Sequence, residues 1–209
     1  MSARIAILIF DELTALDAIG PYEVLSRIPG VDLRFVAKVP GTKRTDTGAL
    51  GVQADVALGD LVDPDVVLVP GGQGNRPLLE DPEVLDWLRT AHEGTTWTTS
   101  VCTGALVLAA AGILDGRRAT THWAYMDRLE ELGAKPVSER VVEDGRIMSA
   151  AGVSAGIDMA LTLAARMAGD TVAQAIQLGI EYDPAPPFDT GSPEKAPSEL
   201  VDLIRTSER

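Results

Sequence analysis

Sulfur is almost missing from this chain as a reactive element: of 209 residues only one is cysteine, Cys102. An intramolecular disulfide is therefore excluded. Histidine is nearly as scarce. His92 and His122 are the only two, and neither stands at ligand spacing from Cys102 or from a carboxylate cluster, so no metal site is expected. Aromatic residues make up 4% of a chain that is 45% hydrophobic, so Val, Ile, Leu and Ala must build the core. Positive charge is short as well, with 18 Lys and Arg against 31 Asp and Glu and a net charge of −13. Such a surface repels nucleic acid and anionic membranes. The apolar run Ile5–Phe10 is too short to export or span and has no basic lead. These absences predict a cytoplasmic chain with no nucleic-acid or membrane partner.

What is present alternates between strand and helix signals. Arg4–Phe10 and Asp65–Val69 are continuous apolar runs, expected of strands buried on both faces. Val31–Lys38 and Thr95–Val101 read as further strands, and Val52–Leu58 as a short edge element. Gly20–Ile28 reads as a helix with Gly20 as its cap and Pro21 at the first position. A second helix has Asp81 as cap, Pro82 at its first position and Gly94 as its stop. Thr103–Leu114 is small and apolar all round, which predicts a buried helix. Ala124–Gly133, Ser154–Gly169, Thr171–Ile180 and Ser198–Thr206 read as helices, and Glu139–Ala150 as a hairpin turning at Asp144-Gly145. Tyr182–Pro197 is proline-rich and predicts an extended surface segment. The pattern argues for an α/β fold, one domain over residues 1–209, with a parallel sheet and helices on both faces. Sites in such sheets form at the carboxyl ends of strands. The loops "FDELTALDAIGP", "PGGQGN" and "VCTG" fall there.

Cys102 stands at the strand-to-helix junction, where a sharp turn would project its side chain from the sheet. Helical N–H groups aimed at the sulfur would favour thiolate, the nucleophilic form. The competing reading is a small buried hydrophobe. The N–H groups of Gly71 and Gly72, with that of Thr103, could line an oxyanion-type hole, or the glycines could form an ordinary turn. Asp17 lies among apolar residues with no capping task, which suits a proton-transfer group with a raised pKa, or it is a surface loop aspartate. Glu23 falls in the predicted first helical turn and could support the site or only complement the dipole. His122, in "ATTHWAY", could support the site or be a satisfied core histidine. His92 is expected to be solvated.

Together "LDAIGPYEVL", "VPGGQGN", "TSVCTGALVLAAAGILDGRRATTHWAY", "ERVVEDGRI", "AGIDMALTLAA" and "EYDPAPPFDTGSP" resemble the ThiJ/PfpI superfamily, across nearly the whole chain. The resemblance implies the flavodoxin-like, class I glutamine amidotransferase-like fold. It implies Cys102 as nucleophile, Asp17 as its acidic partner, Thr103 beside the thiolate, a homodimer with sites near the interface, and no cofactor. Much of the superfamily carries Glu where Asp17 stands; the Asp form resembles the branch that hydrates isonitriles. "CT" replaces the "CH" of the protease-like branch, no His-x-Glu supplies a glutaminase triad, and no helix-turn-helix follows. The implied substrate is a small isonitrile, hydrated through a Cys102 thioimidate. A glyoxalase or deglycase, or a sensor using Cys102 oxidation, are the alternatives.

Overall fold

The computed structural model describes residues 3–61 and 63–207. The first apolar run becomes β1 (Ala3–Leu8), with Ile5, Ile7 and Leu8 no more than 1% exposed, as a central parallel strand requires. In chain order there follow α1 (Ala15–Leu25), β2 (Val31–Ala37), β3 (Gly41–Arg44), β4 (Gly51–Ala54), β5 (Val56–Ala57) and β6 (Val66–Val69). Next come α2 (Pro82–Gly94), β7 (Trp97–Val101), α3 (Gly104–Ala110), β8 (Arg118–Ala119), α4 (Met126–Glu131) and β9 (Lys135–Pro136). The chain closes with β10 (Val141–Asp144), β11 (Ile147–Ala150), α5 (Ala155–Ala168), α6 (Asp170–Gly179) and α7 (Ser198–Ser207).

Seven strands form the main sheet in the order β10-β11-β7-β6-β1-β2-β5. Every neighbouring pair is parallel except β10 with β11. Helices flank the sheet in two packed groups, α1 with α5 and α6, and α2 with α3 and α4. The expected α/β architecture is therefore the one observed. The loops after β1, β6 and β7 meet at one end of the sheet: Leu13 bridges Gly72, and the Thr14 N–H donates to the Gly71 carbonyl at 2.9 Å.

Several local expectations are corrected. Helix α1 begins at Ala15, with Thr14 as its N-cap residue, and Pro21 lies inside it. Burial outweighs the proline signal. A Cβ on Gly20 would sit 3.1 Å from Ile157 of α5, so the stretch ahead of Pro21 is held helical by close helix packing. The Val52–Leu58 segment splits: Gly51–Ala54 pairs with Gly41–Arg44 in a separate hairpin, and only Val56–Ala57 joins the sheet edge. In the second hairpin Asp144 pairs with Ile147, so Gly145, at φ 63°, and Arg146 make the turn. His92 is half-buried rather than solvated, its Nδ1 lying 2.7 Å from the Thr98 hydroxyl.

Candidate active site

The strand-to-helix junction is sharp. β7 ends at Val101, α3 starts at Gly104, and Cys102 between them adopts φ 56°, a left-handed conformation uncommon for any side chain but glycine. Such a residue stores on the order of 1–3 kcal/mol and persists only where its surroundings fix it. Here the Cys102 N–H donates to the carbonyls of Ala150 and Ala151, both at 3.1 Å, and its own carbonyl accepts the Thr121 hydroxyl at 2.8 Å. Gly104 is essential to the junction. A Cβ there would lie 2.0 Å from the Val69 carbonyl oxygen, so only glycine lets α3 begin against the end of β6.

Cys102 is 6% exposed and opens onto a cavity of about 100 Å³ bordered by Thr14, Asn75, Thr103, His122 and Tyr125. The sulfur accepts the N–H groups of Thr103 and Val153. The Thr103 donor matches the sequence reading. Val153 was not foreseen; it precedes α5 at φ 34°, a backbone conformation that β-branched residues rarely adopt. The expected lowering of the thiol pKa is not met. Burial pushes it up, the Asp17 carboxylate adds to that, and the two N–H donors pull down too weakly to offset them. With seven residues, α3 has a small dipole to contribute.

Asp17 sits in the first turn of α1, not in a loop, and is 0% exposed. Burial raises its pKa from 3.8 to about 7, and the Asp46 carboxylate adds to the rise. The Gly71 N–H, donating to Oδ2 at 2.9 Å, and the Cys102 thiol oppose it. Among the described residues Oδ1 is buried without a hydrogen-bond partner, and the nearby Cys102 thiol is the side chain that opposes the rise of this carboxyl group's pKa.

The glycine loop does something other than expected. The Gly71 N–H is taken by Asp17, and the Gly72 N–H by the Thr103 hydroxyl at 3.1 Å. These two N–H groups hold the acid and the threonine, not a substrate oxyanion. A Cβ on Gly71 would lie 2.6 Å from Thr103 Oγ1 and 2.9 Å from Asp17 Oδ2, so the loop packs directly against both. Asn75, from the same motif, donates through Nδ2 to the Thr103 carbonyl at 2.9 Å.

His122 does border the cavity, its ring 5.5 Å from that of Trp123 and its Nδ1 accepting the Ala124 N–H at 3.4 Å. Glu23 does not. It lies near the end of α1, its side chain is 48% exposed, and it pairs with Arg27 at 2.7 Å. The earlier helix start moves it away from the first turn. Asp46 is a further wall residue that the sequence did not signal, because the β3–β4 hairpin that leads to it was not read; it accepts the Thr14 hydroxyl at 2.9 Å.

The described site is a mostly buried thiol at the edge of a small cavity, beside a buried carboxyl group of near-neutral pKa. A family model described as the DJ-1/PfpI family matches residues 3–166. Isonitrile hydratase from Pseudomonas putida is 49% identical over 207 residues, covering 98% of this chain and 90% of that protein. The HTH-type transcriptional regulator CdhR from Pseudomonas aeruginosa is 32% identical over 168 residues, 78% of this chain but 49% of the regulator. Among solved structures, a ThiJ/PfpI family protein from Pseudomonas syringae superposes with a TM-score of 0.95 at 34% identity, covering 99% of this chain and 86% of that one.

Proposed function

The chain belongs to the DJ-1/PfpI family, and from that premise we propose that it adds water to an isonitrile, R–N≡C, and releases an N-substituted formamide. The observation that carries this reading is the Asp17–Cys102 pair: a buried carboxyl group with a pKa of about 7 beside the buried thiol of a residue held in a left-handed backbone conformation. The 49% identity to the Pseudomonas putida hydratase supports it.

An isonitrile carbon needs both a soft nucleophile and a proton. The Asp17 carboxylate takes the Cys102 proton as the sulfur attacks the terminal carbon, and then gives it to that carbon. A C–S and a C–H bond form, leaving the thioimidate R–N=CH–S–Cys102. Asp17, again ionised, takes a proton from water as the oxygen adds to the same carbon, and that proton passes to nitrogen. The tetrahedral adduct R–NH–CH(OH)–S–Cys102 then collapses. Its C–S bond breaks, the hydroxyl proton returns to sulfur through Asp17, and R–NH–CHO leaves. Water is the only co-reactant. The N–H groups of Thr103 and Val153 stabilise sulfur whenever it carries charge. General acid–base help of this kind contributes about 10²–10⁴-fold.

The sensor alternative is disfavoured, because oxidation follows thiolate character and exposure, and Cys102 has little of either. We read the protein as a homodimer without a nucleic-acid partner. Exposed Leu16, Leu178 and Phe188 offer apolar surface to a second copy, and the net charge of −13 opposes nucleic acid.

Purified protein mixed with cyclohexyl isonitrile should yield N-cyclohexylformamide, followed by chromatography; absence of formamide overturns the reading. The active pair carries one proton, which resides on sulfur or on Asp17. Below the Asp17 pKa a second proton blocks the relay, so kcat/KM should rise about tenfold per pH unit and level off near pH 7. A flat profile from pH 5 to 8 would remove Asp17 from the proton path.

A further inference from the structure

Hydration needs a water held next to the carbon that sulfur has captured. The cavity of about 100 Å³ that Cys102 borders has room for roughly three waters, each with a share of liquid volume near 30 Å³, so an isonitrile group and one water fit together. Asp17 is fully buried and does not border this space. Among the described residues around it, the one carboxylate is that of Asp46, an exposed residue at the rim. His122 borders it too, but its Nδ1 accepts the Ala124 N–H. That leaves the proton of the neutral ring on Nε2, which offers water a donor and not a base.

Asp46 is held in place from several directions. Its own N–H donates to the Leu13 carbonyl at 3.0 Å, next to the parallel bridge of Leu13 with Thr45. Its Oδ2 accepts the Thr14 hydroxyl at 2.9 Å and its Oδ1 the Thr47 N–H at 2.8 Å. An ionised carboxylate has about four acceptor positions, so each oxygen keeps one for water. Thr14 is the N-cap residue of α1, and the hydroxyl of such a threonine ordinarily accepts an N–H of the first turn. Here it makes no such bond and donates to Asp46 instead. A capping group is thus diverted to orient a carboxylate. The charge on that carboxylate also reaches Asp17, where it adds to the rise in pKa that burial begins.

We propose that Asp46 holds the water that attacks the thioimidate, a task separate from that of Asp17, and that Thr14 is the positioning residue that aims it. This rests on the hydration reading. Asp46 accepts one O–H of the water and so turns an oxygen lone pair toward the thioimidate carbon. The other O–H gives its proton to Asp17 as the C–O bond forms. Asp46 gains and loses no proton, so the balance of the reaction is unchanged. Asp17 then serves the thiol and the proton transfers, while Asp46 serves only the second half, in which water adds. A reactant misplaced by about 1 Å costs on the order of 10²-fold, which sets the size of the effect.

The test separates the two halves of the reaction with cyclohexyl isonitrile. In Asp46→Asn, kcat should fall about 10²-fold. The C–H bond made with the thioimidate commits the first half, so kcat/KM should stay near the parent value and KM should fall with kcat. Acid-quenched protein should then carry the mass of one added isonitrile on Cys102, at close to one equivalent, and that adduct also reports an intact site. Thr14→Val keeps the Asp46 charge and removes the bond that orients it, so it decides the matter should Asp46→Asn not fold. Its kcat should fall about tenfold with the same adduct. A purely structural role for either residue would instead lower kcat/KM and leave no adduct. Parent-like kcat in both variants, or a fall without adduct, overturns the proposal while hydration by the unaltered protein stands. If the unaltered protein forms no formamide, the hydration reading fails and takes the water-holding role with it.

Discussion

Cys102→Ala should leave no measurable formamide formation, a fall of about 10⁴-fold or more, because the thioimidate has no other atom on which to form. The folded state should survive the change. Alanine at φ 56° meets the same left-handed conformation as cysteine, and the backbone bonds from Cys102 to Ala150, Ala151 and Thr121 do not involve the sulfur. A melting temperature within a few degrees of the parent, together with lost turnover, is the expected pair of results. Retained turnover would remove Cys102 as nucleophile and with it the thioimidate.

Asp17→Asn should lose about 10²–10⁴-fold in kcat while becoming more stable at neutral and alkaline pH. The amide oxygen can still accept the Gly71 N–H, so the loop stays in place. The stability gain follows from linkage. The folded-state pKa of Asp17 is raised, to about 7 from 3.8. Between those values the folded protein binds more protons than the unfolded chain, and its stability falls as pH rises. That loss is complete above about pH 7 and amounts to at most on the order of 4 kcal/mol. The variant has no such titration. Its advantage in urea unfolding should be smallest near pH 4, grow to pH 7 and then level off. A constant difference from pH 4 to 8 would mean that Asp17 does not titrate in this window.

The sequence carried the junction and hid the contacts that set its proton chemistry. A lone cysteine between a β-branched strand and a small-residue helix is legible, because the local pattern alone forces a turn there. Asp17 was legible as a carboxylate without a capping role, yet its helix was misread. Pro21 suits a first helical turn intrinsically, and tertiary packing of Gly20 on α5 overrode that preference. The roles of the Gly71 and Gly72 N–H groups depend on which acceptors arrive from elsewhere, and these are Asp17, 54 positions away, and Thr103, 31 positions away. Val153 and Asp46 reach the site through long-range folding and carry no residue-type signal of their own. The direction of the Cys102 shift was missed for the same reason: a helix terminus can be read locally, whereas burial and a carboxylate neighbour cannot.

Where α1 meets α5, a Cβ on Gly20 would touch Ile157 at 3.1 Å, and one on Gly156 would touch Val101 at 3.1 Å and Pro21 at 3.3 Å. The acid rides on the first of these helices and the Val153 N–H leads into the second. The placement of the acid relative to the Val153 N–H thus depends on backbones pressed together at this seam. One added methyl group at this seam would push the two helices apart and detune the reaction without ever entering the pocket.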